Sequence, residues 1–283
     1  MATRTAPTER QKRVGAEIRK LRTAAGQSIE FGAGLLGVDR SNMSSMESGV
    51  RAISPERLRT LACNYACSDE AYVDALARMA GHRKRGWWER YRGQLPAGFM
   101  DIAEMEWHAS RMRSANFVHM PGLLQTGDQA LAIFRTAVPA LPEHEVALRV
   151  AYRLERANIL TRETSPEYVS IIHEAVLRMQ FGERKVVHAQ LEHLLTMSER
   201  DNIALRVIPF KAGPFPGAGQ TVFHLEGPVP ALDTVQVDNA HGPEFLHTDA
   251  QLNRYRGQLD WMERIALGRE ESRDFIRAIA NEL

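Results

Sequence analysis

SIEFGAGLLGVDRSNMSSMESG, residues Ser28 to Gly49, reads as two short helices joined by a tight turn at Gly37, and it decides the fold of the N-terminal third. Ser28 caps the first helix, and Gly32, Ala33 and Leu36 are small or apolar where a second helix must approach closely. Val38, Met43 and Met46, at spacings of five and three, fall on one inward face of the second helix. Asp39 stands at its N-cap. The opposite face is polar throughout, carrying Arg40, Ser41, Asn42, Ser44 and Ser45 without a large hydrophobe. Such a face suits the wet groove of a DNA duplex better than a core.

The flanks extend the pattern. An amphipathic helix precedes it, with Val14, Ile18 and Leu21 turned inward, and Ser54-Pro55-Glu56 opens another helix after it. Leu58, Leu61, Ala62 and Tyr65 give that later helix an apolar stripe. In this order of signals, Gln11 to Asp69 resembles a helix-turn-helix domain of the XRE type, the phage-repressor class of all-α five-helix DNA-binding units. With the second helix in the major groove, Arg40 donates two hydrogen bonds to guanine, and Ser41 and Ser45 approach neighbouring bases, with Asn42 and Ser44 as further candidates. Ser28 and Arg51 are placed for phosphates. For each serine the competing reading is a solvated helix face. The resemblance also implies an ion pair between Arg22 and Glu47 that joins the first helix to the end of the third, a structural role that removes both from the base-reading set. Gly32 departs from the family pattern, which often has a larger apolar residue there. Ile29, Phe31 and Leu35 are apolar where the family is usually polar, which marks them as a contact surface.

The chain has 283 residues, enough for two domains. Residues 8–80 form the helix-turn-helix domain, 81–96 a basic and aromatic linker, and 97–283 a second domain. The net charge of +1 hides a division: residues 1–92 hold 17 Lys and Arg against 10 Asp and Glu, a net of +7, and the remainder holds 19 against 25, a net of −6. A basic module is the electrostatic footprint of a phosphate-binding surface, whereas the acidic part would be repelled by the same duplex. No apolar run approaches the length of a membrane span, and MATRTAPTERQKR lacks the hydrophobic segment of a signal peptide, so the expected location is cytoplasmic. Cys63 and Cys67 lie four apart on the fourth helix, too close to staple distant parts of a fold, and are expected to pack as small hydrophobes rather than bind metal.

The linker GHRKRGWWERYRGQLP, Gly81 to Pro96, sets Arg83, Lys84, Arg85, Arg90 and Arg92 beside Trp87, Trp88 and Tyr91. Cations on phosphate and rings on exposed bases are one reading. The favoured one packs the rings onto a neighbouring domain, with Arg83, Lys84 and Arg85 as extra phosphate contacts.

Beyond the linker the periodicity predicts helices over 102–116, 126–136, 143–160, 184–198, 249–267 and 272–283, and strands over 168–173, 203–208, 221–225 and 232–237. The last two strands flank Gly227-Pro228-Val229-Pro230 as a hairpin. The fold class is α+β with a mainly antiparallel sheet. Trp87 onward resembles the large C-terminal domain of unknown function fused to XRE domains in actinobacterial regulators, through the linker tryptophan, MPGLLQT at Met120–Thr126, HEAVLR at His173–Arg178, QLEHLL and IALRVIPF at Ile203–Phe210. Met120, and the stretch Gly127 to Ala130 without an aromatic residue, depart from that family's pattern. The resemblance implies a regulator, or an antitoxin-like protein paired with a small partner protein.

Catalytic and metal motifs are incomplete in the same stretch. His173-Glu174 lacks the second histidine of a zinc HExxH helix, and His188 and His193, five apart, do not share a helical face. The Gly213–Gly219 loop has no following Lys-Ser or Lys-Thr, and its prolines remove the amides a phosphate cradle needs. The expectation is a non-enzymatic protein without cofactor or metal. Its partners are double-stranded DNA, a second copy of itself in a homodimer, and a small protein or small-molecule effector at the C-terminal domain. Two functions fit: a sequence-specific transcriptional regulator, and an antitoxin-like protein that neutralises a small partner and binds DNA for autoregulation.

Overall fold

Thr8 starts the first helix by accepting from the Gln11 amide while the Gln11 side chain accepts from the Thr8 amide, a closed capping box. The computed structural model describes residues 6–81, 86–217, 219–239 and 241–283. Its N-terminal part contains α1 (Glu9–Ala24), α2 (Ile29–Leu35), α3 (Arg40–Glu47), α4 (Pro55–Asn64) and α5 (Glu70–Gly81). This is the five-helix arrangement that the sequence predicts. Val14, Ile18, Ala33, Met43, Met46, Leu58, Leu61 and Tyr65 meet in one core, so the inward stripes of α1, α3 and α4 are those read from spacing. Gly37, at φ +61, makes the left-handed turn between α2 and α3. Gly15 lets α1 cross the end of α3, since a Cβ there would stand 2.6 Å from the backbone oxygens of Met46 and Glu47.

The C-terminal part contains α6 (Ala97–His108), β1 (Arg111–Asn116), α7 (Gly127–Phe134), α8 (Glu143–Ala157), β2 (Glu167–His173), α9 (Glu174–Arg178), α10 (Arg184–Met197) and β3 (Ile203–Ile208). There follow β4 (Val222–Glu226), β5 (Thr234–Asn239), β6 (Gly242–Leu246), α11 (Asp249–Ile265) and α12 (Arg269–Glu282). Six strands form one sheet in the order β3-β2-β1-β4-β5-β6. The β1–β2 and β2–β3 pairs are parallel and the other three antiparallel, so the sheet is mixed and mainly antiparallel, as the sequence predicts. Helices cover both faces. Met112, Tyr168, Leu205 and Leu225 pack with residues of α6, α10 and α12 on one side, while Ala115, Ile171, Val222 and Val235 pack under Leu252, Leu259 and Met262 of α11 on the other.

Several elements differ from expectation. The helix predicted over 102–116 ends at His108, and its second half is β1, the third strand of the sheet from the β3 edge. With both faces covered, β1 buries Met112 through Asn116 and lacks the alternation that marks a half-exposed strand. The buried Arg113 is held there by Asp260 at 2.8 Å and Glu263 at 2.9 Å, both on α11. The edge strand β6, with Gly242 and Pro243, carries no strand signature in its residues. The fourth helix stops at Asn64, and Ala66 at φ 54 turns the chain, so Cys67 lies beyond it. Cys67 packs against the helical core, but Cys63 is exposed, which corrects its expected burial.

The rings of the linker pack inward, as the favoured reading has it. Trp88 and Tyr91 are buried with Leu95, Met100 and Tyr152, and Tyr91 donates to Glu155 at 2.8 Å. Arg83, Lys84 and Arg85 lie outside the described residues.

The helical unit is seated on the C-terminal one through α1. Arg13 is 3% exposed, donates to the Ala231 and His247 carbonyls at 2.6 and 2.9 Å, and pairs with Glu17 at 3.0 Å. Glu17 accepts from Tyr72 at 2.5 Å, and burial raises the Tyr72 phenol, which keeps that proton in place. Val229, Ala231 and Leu232, from the β4–β5 connection, complete the apolar contact with the helical core.

Candidate nucleic-acid interface

The N-terminal end of α3 is built by Asp39, whose carboxylate accepts from the Asn42 amide at 2.7 Å. This cap fixes the helix start without using an outer side chain. Arg40, Ser41 and Ser44 are exposed and Ser45 is half-buried, so one polar face runs from the first turn to the last. Behind it, Met43 and Met46 are buried. Glu47 takes a two-pronged bond from Arg22, 2.6 Å from Nε and 2.9 Å from Nη2, and Arg22 also donates to the Gln27 carbonyl at 2.8 Å. These hydrogen bonds hold the Arg22 guanidinium above its ordinary range. The implied ion pair is therefore present and sets the angle between α1 and α3.

Arg40 is 73% exposed at its side chain and lies 3.2 Å from Glu30 on α2. A fully hydrated contact of this kind is weak, so a guanine edge can replace Glu30 at little cost. Ser28 caps α2 by accepting from the Phe31 amide at 3.1 Å, which leaves its own hydroxyl proton free to donate to a phosphate. Asn42 faces sideways: its Nδ2 donates to Asp39 at 2.9 Å and its Oδ1 accepts from Arg51 Nη1. The side chain of Asn42 is thus occupied at both ends, and it positions Arg51 beside the helix start. Of the seven residues singled out in the sequence, Arg40, Ser41, Ser44 and Ser45 share the outer face of α3, and Ser28, Asn42 and Arg51 flank it.

Sequence reasoning overlooked Arg19. It is exposed on α1 and lines a shallow groove with Ile29, Arg40, Ser44 and Ser48. Its signal was available, because Arg19 lies three residues before Arg22 and off the Val14, Ile18, Leu21 stripe. Gly32 has a local cause as well: a Cβ there would fall 2.3 Å from the Tyr65 hydroxyl, which fills the space of the larger residue expected. In the apolar run, Ile29 and Leu35 pack on the helical core and Phe31 alone stays exposed.

Among the described residues, no helix is long and apolar enough to cross a membrane, and no group of three or more His, Cys, Asp and Glu could hold a metal ion. Residues 13–76 match the family described as "Helix-turn-helix domain", which points to a DNA-binding regulator. No curated protein and no solved structure matches it. Residues 99–278 match the family described as "Domain of unknown function (DUF5753)", and because that match spans more than half of the chain, the protein belongs to the DUF5753 family.

Proposed function

We propose that this protein is a sequence-specific transcriptional regulator that binds its operator as a two-fold dimer and is controlled through its C-terminal domain. The observation that carries the reading is the outer face of α3, polar along its length and exposed at Arg40, Ser41 and Ser44, capped by Asp39 and locked in angle by Arg22 and Glu47. Arg40 reads guanine; Ser41, Ser44 and Ser45 meet neighbouring bases; Ser28, Arg51 and Arg19 hold phosphates. Asn42 orients Arg51. The role is binding rather than catalysis.

A single small module offers too little contact for useful specificity, so the two-fold dimer reads paired half-sites about one helical turn apart. Control by the C-terminal domain has a physical route. α6 carries Asp101, which accepts from the Glu9 amide at 3.0 Å, and on the same helix Glu106 pairs with Arg156 deep in the C-terminal domain. A shift of α6 is therefore felt at the start of α1.

Operator footprinting followed by Arg40→Ala tests the base-reading role. The substitution is expected to cost about 1–3 kcal/mol at one base position and relax preference there. An equal loss on every sequence would reduce Arg40 to a phosphate contact.

A further inference from the structure

Arg153, on α8, is a half-buried cation that lacks a direct ion pair; Asp238 and Glu106 act on it only from a longer distance. Its Nη1 donates to Gln125 at 2.7 Å and its guanidinium carbon lies 4.5 Å from the Phe134 ring centroid, while its buried Nε has no acceptor. The neighbouring Arg156 is served by Glu106 at 3.0 Å. Among the described residues, no carboxylate stands within ion-pair distance of Arg153. Burial, and then repulsion from Arg156, pull the Arg153 guanidinium down to about 9. Both cations are pressed against backbone: a Cβ on Gly122 would stand 2.9 Å from Arg156 Nη2 and 3.7 Å from Arg153 Nη1.

The sheet supplies the other side of the site. Ala115, Val222 and Val237 lie in one row across β1, β4 and β5, which makes Asn116 and Asp238 the next residues along β1 and β5. β4 begins only at Val222, so no β4 ladder residue pairs with either of them. Asn116 is 4% exposed and Gln236 7% exposed, and each has a buried side-chain oxygen with no partner. Gln236 Nε2 donates to Asp238 at 2.8 Å. Asp238 and His119 are exposed at the rim, where the Asp238 carboxylate acts on both His119 and Arg153, and Arg153 acts on His119. Here, too, lie the carboxyl ends of the three parallel strands, the end of an open α/β sheet at which ligands bind.

Water can satisfy an amide oxygen, but it leaves the guanidinium, whose Nε is buried, without a direct counter-ion, which is unfavourable. We propose that this site binds a small organic anion, its carboxylate or phosphate on Arg153 and its hydroxyl or amine donors on the free oxygens of Asn116 and Gln236. The inference deepens the proposed control through the C-terminal domain by naming the effector's class. Its test is made without DNA, so it can fail while DNA recognition stands.

The full chain is melted at constant ionic strength with about 10 mM inorganic phosphate, glucose 6-phosphate, citrate or glutamate, and with glucose as the neutral control. At least one anion is expected to raise Tm by several degrees, and glucose to leave it unchanged; the ranking of phosphates against carboxylates identifies the head group. Arg40→Ala keeps this response, which separates the site from anions at the DNA face. Arg153→Met abolishes it and melts above the wild type when no anion is present, because the unpaired charge is gone. Gln125→Glu places a counter-ion against Arg153 and removes the anion response; its own Tm is not the readout, because the change also takes away the Nε2 donor to the Met120 carbonyl at 2.6 Å. The proposal is overturned if no anion stabilises the wild type more than Gln125→Glu, or if Arg153→Met keeps the anion response.

Discussion

Glu47 is a buried carboxylate whose charge is met by the two-pronged bond from Arg22, and the side chains are 6% and 12% exposed. Breaking such a pair from one side costs more than the pair contributes, because the surviving charge is left in a poor solvent. Arg22→Met is therefore expected to lower stability by about 3–5 kcal/mol in urea unfolding, with much of the loss recovered by adding Glu47→Leu. An equal loss in the single and double variants would show that the two residues act apart. At this scale the sequence was informative wherever a role depends on near neighbours. Asp39 and Ser28 cap their helices as their positions predict, and Met43 and Met46 face inward. What escaped depends on distant partners: the bond from Arg51 to Asn42 spans nine residues, and Arg19 joins Arg40 only once α1 crosses α3.

Between elements, α6 is the piece whose charges respond to pH. Burial pushes the Asp101 carboxyl up to about 6, although the bond from the Glu9 amide pulls the other way; Glu9 and Glu104 add to the rise and Lys12 opposes it. An unfolded aspartate ionises near 3.9, so between roughly pH 4 and 6 the folded chain holds a proton that the unfolded chain has lost. Stability from this group is thus highest below pH 4 and falls as pH rises through 6. Asp101→Asn keeps an acceptor for the Glu9 amide and removes the charge, so it is expected to raise the urea midpoint at pH 7 and flatten its fall between pH 4 and 6. Glu106, pushed up to about 7 by burial, gives a slope of the same sign that the variant retains. An unaltered profile would show that Asp101 does not titrate in this window. Elements were legible in proportion to their exposure. α8 and α10 show polar and apolar faces in their residues, but β1 is covered on both sides and carries Arg113 in its interior, a cation that only α11 explains.

Across the whole molecule, the division of charge is legible in the sequence, while the seating of the two parts is not, because it rests on contacts between residues far apart in the chain. Arg13 looks like an ordinary basic residue on α1, yet it bonds two carbonyls more than two hundred residues away. This seating has a consequence for the operator. In the proposed dimer, if the second domain holds the copies together, the distance between the two α3 helices is set by the contact in which Arg13, held by Glu17, bonds the Ala231 and His247 carbonyls and Lys20 pairs with Asp249 at 3.0 Å. Half-sites must then lie about 34–36 Å apart on one face of the duplex, and each added base pair both lengthens the gap and rotates one site away. Wild-type protein is expected to lose at least about tenfold in affinity when one base pair is inserted between half-sites, a mismatch in geometry worth about 1.4 kcal/mol. Arg13→Leu combined with Glu17→Gln removes the bonds to Ala231 and His247 without leaving a buried charge behind. Electrophoretic titration on operators of graded spacing should then show a penalty reduced to about twofold, with weaker binding at the original spacing because the helical units are no longer preset. A penalty that stays tenfold in the double variant would place the control of spacing in the helical unit itself, and one absent from the wild type would remove the rigid dimer.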